Sequence, residues 1–99
     1  MTIEEHLLVT LGEEAAELQK VIAKALRFGL DDKWRDAEYK DSPRNLIVKE
    51  FNDLYAVAEM LTQTETLPWP LLSGDLVENK KLKVRKFFNY SREQGRLSE

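Results

Sequence analysis

Apolar side chains recur in steps of three and four near the start of the chain, at Leu7, Leu11, Leu18, Val21 and Ala25. Glu14 stands where one more leucine belongs. That period puts them on one face of an α-helix. Thr2 and Glu5 have the spacing of a capping box and Gly29 is a natural C-terminal stop, so a helix is predicted over 3–28. A second stripe, Ile47, Phe51, Leu54, Ala58 and Leu61, widened by Val57 and Met60, predicts a helix over 43–62. Ser42 serves as its N-cap, with Pro43 at the first helical position. The small Ala58 lets a neighbouring helix come close at that level. Ser73 and Asp75 open a third predicted helix that runs to Arg92, with Gly95 at its frayed end. The stretch 30–41 is polar, carries Trp34 and Tyr39, and reads as a loop with at most one helical turn. The stretch 63–72, with Pro68 and Pro70, reads as a connector. No stretch alternates as a strand does. The expected fold is all-α: a bundle of about three main helices with antiparallel neighbours, completed by oligomerisation.

Composition narrows the class. A chain of 99 residues is one domain, expected to span 1–99. Hydrophobic residues make up 42% and charged residues 33%, which favours a globular core over disorder. A core of this size is modest, and association with further copies is a common way to complete it. The net charge of -3 argues against a general nucleic-acid binder. The chain has no cysteine, which rules out disulfides, zinc-thiolate sites and thiol nucleophiles and suits a cytoplasmic location. The N-terminal residues lack the pattern of a signal peptide, and no segment approaches the ~20 apolar residues of a membrane span, so no membrane partner is expected. The glycines at 12, 29, 74 and 95 form no phosphate-binding loop.

The chemistry lies in acids that interrupt apolar seams. Glu14 occupies the seam of the first helix, and Glu17 follows one turn on. Glu50 falls between Ile47 and Leu54 on the apolar side of the second helix, and Asp53 follows at the same interval. Unpaired buried carboxylates are costly, and two unit charges about 5 Å apart at an effective dielectric of 20 repel by roughly 3 kcal/mol. A hard divalent cation removes that cost; magnesium takes oxygen ligands and keeps waters or substrate phosphates beside them. A single helical glutamate is more often solvated or paired with a lysine one turn away. Four acids, paired at identical spacing and two of them on apolar seams, favour the metal. Glu13 is either a further ligand, a base that orients water, or a surface acid.

Glu13-Glu14-Ala15-Ala16-Glu17, followed by Glu50-Phe51-Asn52-Asp53, resembles the acidic signature of the MazG-like pyrophosphohydrolases. That superfamily includes dimeric dUTPases and phosphoribosyl-ATP pyrophosphohydrolases. The stretch from Lys24 to Gly29 and the tail from Lys83 to Glu93 are similar to compact single-domain members, some carried by phages. The interval between the two motifs is longer than in the shortest members, consistent with an inserted loop over 30–41. The resemblance implies magnesium-dependent hydrolysis, with manganese as a substitute. The α–β phosphoanhydride of a nucleoside or deoxynucleoside triphosphate is cleaved to a monophosphate and pyrophosphate, which sanitises or shapes a nucleotide pool. By position it makes Glu14, Glu17, Glu50 and Asp53 the metal ligands, adds Glu13 to the catalytic set, and implies a homodimer or homotetramer.

The remaining candidates are substrate contacts. Lys20, Lys24 and Arg27 continue the face of Glu17 and can either cradle a triphosphate or simply solvate the helix. The third helix carries Asn79 and the run Lys80, Lys81, Lys83, Arg85 and Lys86; in the resembled family this region supplies substrate contacts, which singles out Asn79 and Lys83. As a nucleic-acid patch the run lacks interleaved base-reading residues. Trp34 or Tyr39 can stack on a base or pack the loop onto the domain. His6, the sole histidine, is a surface or capping residue or else a substrate contact. Two rivals stand beside the triphosphatase reading: phosphoribosyl-ATP hydrolysis on the same metal motif, and a non-enzymatic helical interaction module whose acids and bases form ion pairs.

Overall fold

A computed structural model describes residues 1–32 and 41–98, and these form three α-helices with no strand among them. Two compact units emerge, one over Met1–Trp69 and one from Pro70 onward. No helix among the described residues is long and apolar enough to cross a membrane.

The first helix, α1, spans Ile3–Phe28, 26 residues, or about 39 Å at 1.5 Å per residue. Its start is held locally: Glu5 N donates to Thr2 Oγ1 at 3.1 Å and Thr2 N donates back to Glu5 Oε1 at 3.4 Å. Its end is set by Gly29, whose φ of 99° lies in the region that costs a side chain-bearing residue most. The second helix, α2, spans Pro43–Gln63. Ser42 Oγ accepts from Asn45 N at 3.3 Å, and Asp41 Oδ1 accepts from both Ser42 N and Asn45 Nδ2. Its C-terminal end turns on Leu61, which is fully buried and whose carbonyl accepts from Thr66 N and Leu67 N. Glu65 takes the left-handed conformation there, at φ 59°.

α1 and α2 pack against each other as an antiparallel pair. Arg44 N donates to Leu30 O at 2.9 Å, and the Arg44 guanidinium grips both Asp31 carboxylate oxygens, so the end of α1 meets the start of α2. Toward the middle of the pair, Glu14 lies opposite Glu50 and Asp53. On α1 Leu7 and Val21 are buried and Leu11, Glu14, Leu18 and Ala25 half-buried, the seam expected from the periodicity, with Thr10, Ala23 and Lys24 half-buried beside it. On α2 the expected stripe needs correction. Ile47, Leu54, Val57, Ala58 and Leu61 face inward, but Phe51 is 57% exposed and Met60 is also exposed. Each residue advances about 100° around a helix, so Phe51 stands a quarter-turn and more away from Glu50, which is central to the seam.

The second unit contains α3, Gly74–Glu93, capped by Ser73 Oγ accepting from Leu76 N at 3.3 Å. Asp75 sits in its first turn and Arg92 in its last, both favourable to the helix dipole.

Candidate functional site

One oxygen each from Glu14, Glu50 and Asp53 lie within 4.8 Å of one another, on residues that are all half-buried. Glu14 is placed by the α1 seam, between Leu11 and Leu18. Glu50 and Asp53 are placed by α2, one turn apart on the side facing α1. Glu50 is the most enclosed of the two α2 acids, its side chain 12% exposed against 42% for Asp53. The helices therefore do work that sequence-local interactions cannot: they bring a third carboxylate up to a pair that α2 already holds. At this separation like charges repel appreciably even with partial solvation.

Lys49 is the one cation paired with this group among the described residues. Its Nζ lies 2.8 Å from Asp53 Oδ2 and 3.5 Å from Glu50 Oε1. The hydrogen bond to Asp53, followed by the charges of Glu50 and Asp53, holds the Lys49 ammonium above the usual lysine range. The sequence reading did not single out Lys49. The signal was present, since a lysine four residues before an aspartate is a routine helical ion pair.

The other candidates distribute unevenly. Glu13 and Glu17 are exposed, and neither belongs to the three-acid group. Glu17 is three residues beyond Glu14, which turns it about 60° from that residue around the helix. Lys24 is half-buried and, with Val21, Phe28, Asp32, Pro43 and Leu46, lines a cavity of about 20 Å³ where α1 ends beside the start of α2, enough for about one water. Arg27 is exposed, with its guanidinium carbon 5.7 Å from the centre of the Phe28 ring, a cation–π distance. His6 and Lys20 are exposed; the His6 carbonyl accepts from Thr10 Oγ1. Asn79 and Lys83 are exposed on α3, in the second unit. Trp34 and Tyr39 lie outside the described residues.

Three carboxylates at this spacing form an all-oxygen donor set, hard and anionic, of the kind that suits magnesium or manganese and disfavours soft, thiolate-seeking metals. The set is small enough to leave room for waters or phosphate oxygens around a bound ion. No protein-family model, curated protein or solved structure matches this chain.

Proposed function

We propose that this protein is a magnesium-dependent hydrolase of nucleoside or deoxynucleoside triphosphates, cutting the α–β phosphoanhydride to a monophosphate and pyrophosphate. The observation that carries the reading is the meeting of Glu14 from one helix with Glu50 and Asp53 from the next, all within 4.8 Å. A cluster of half-buried acids on an apolar seam costs stability, and the cost is offset when a cation is the resident of the site. The resemblance of the two acidic motifs to MazG-like pyrophosphohydrolases supports the same reading.

In this reading Glu14, Glu50 and Asp53 hold the ion, and exposed Glu17 joins them when phosphates are present. A bound magnesium supplies charge neutralisation of the phosphates and a more acidic water. The chain's own residues orient and exclude. The acids share their helix faces with half-buried Leu11, Leu18 and Leu54, and partial burial strengthens each electrostatic contact. Glu13, exposed and outside the three-acid group, is proposed as a base that orients water. Lys24 and Arg27, about three and three and a half turns along α1 from Glu14, are proposed as contacts to phosphate oxygens, the groups such donors bind best. Asn79 and Lys83 on α3 are proposed as further substrate contacts.

A homodimer or homotetramer is part of the proposal. Leu7, Val21 and Leu61 are the buried hydrophobics, whereas Leu26, Val48, Phe51 and Met60 stand exposed. A second copy of the chain would cover such side chains, which is how association completes a small core. The direct test incubates the protein with a panel of nucleotides and magnesium and resolves the products by chromatography. Monophosphate with pyrophosphate supports the reading; diphosphate with inorganic phosphate refutes it. Including phosphoribosyl-ATP in the panel separates the enzymatic alternative. One observation favours the non-enzymatic rival: Lys49 already pairs with two of the acids. A scaffold held by such pairs gains no thermal stability from magnesium with a non-hydrolysable triphosphate, whereas the enzyme gains ~2.7 kcal/mol at a hundredfold excess over Kd.

A further inference from the structure

The acid group is not left bare. Lys49 is 61% exposed, yet its ammonium reaches back 2.8 Å from Asp53 and 3.5 Å from Glu50. Both of those acids belong to its own helix; the third, Glu14, arrives from α1. One ammonium neutralises only one of the three carboxylates, so the group still attracts a divalent ion, which brings twice the charge of the ammonium it displaces. The Lys49 side chain is largely exposed, so its head can swing away into water. The geometry points to Lys49 as the resident counterion of the acid group, displaced by a divalent cation when that cation binds.

The inference rests on the reading that these acids hold a divalent ion. Its physics is competition. An ammonium hydrogen-bonded to Asp53 Oδ2 occupies an oxygen that an incoming ion needs, and two cations cannot share the site without repulsion. A pair with so exposed a lysine is weak, so it tempers affinity without blocking it.

The test is a manganese titration followed by electron paramagnetic resonance, at low ionic strength and without nucleotide. It compares the unaltered protein with Lys49→Met and Lys49→Arg. Helical circular dichroism confirms the fold of each variant, as expected for a residue this exposed. Lys49→Met is expected to bind manganese about three- to fivefold more tightly, the range set by the loss of one exposed competing pair. Lys49→Arg, which keeps the charge, is expected to match the unaltered protein. The gain in Lys49→Met should shrink as salt is added and the competition is screened. Equal or weaker manganese binding by Lys49→Met overturns the counterion role and leaves the metal reading standing. No manganese binding by any of the three proteins overturns both.

Discussion

Replacing Glu14 with leucine should make the protein more stable and useless for its proposed work. Glu14 sits among leucines on the α1 seam and shares a 4.8 Å group with Glu50 and Asp53. At 4.8 Å a pair of full charges repels by about 3.5 kcal/mol at an effective dielectric of 20 and about 0.9 kcal/mol in water. The group is half-exposed and Lys49 offsets part of its charge, so the relief from removing Glu14 lies toward the lower figure, about 1 kcal/mol. A half-buried leucine on the seam adds about 1 kcal/mol more by area. The sum, about 2 kcal/mol, corresponds to a rise in Tm of ~8–16 °C for a domain of this size. Thermal denaturation followed by circular dichroism, in chelator and low salt, measures it. The same experiment with excess magnesium and a non-hydrolysable triphosphate should raise the Tm of the unaltered protein and leave Glu14→Leu where it was. A Glu14→Leu protein that melts lower than the parent in chelator would refute the argument. It would mean that the carboxylate is not in conflict with the α2 acids.

The other expectations are smaller in scope. Glu50→Gln keeps the shape of the most enclosed α2 acid but removes its charge. It should abolish turnover in the nucleotide assay, with the helical signal unchanged and the magnesium-dependent rise in Tm lost. Ser42→Ala deletes the N-cap bond to Asn45 N and should cost about 1 kcal/mol, read as a fall in Tm of ~4–8 °C. Asp31 is held below the ordinary aspartate range by its hydrogen bonds to Arg44 and then by the Arg44 charge. A carboxyl depressed in the folded state adds stability above its unfolded pKa and loses it as pH falls through the folded value. Arg44→Ala should therefore shift the Asp31 titration to higher pH by nuclear magnetic resonance. The stability difference between Arg44→Ala and the parent should be present at neutral pH and vanish in acid.

The amino-acid sequence by itself determined the helices and their ends. Each boundary is a local event: Thr2 bonding Glu5, Gly29 adopting positive φ, Ser42 with Pro43, Ser73 bonding Leu76. It also determined the α1 seam, because a period of three and four leaves only one face to bury. The α2 stripe was legible in part, since apolar character alone could not tell Phe51, at the edge of the face, from Leu54 at its centre. Tertiary structure decided which acids meet. Glu14, Glu17, Glu50 and Asp53 share one spacing in two helices, but spacing carries no information about how those helices are rotated and shifted against each other. The packing of α1 on α2 turned Glu14 toward Glu50 and Asp53 and left Glu17 outside the group. Side-chain packing across two helices sets that rotation, and no local interaction along either helix specifies it.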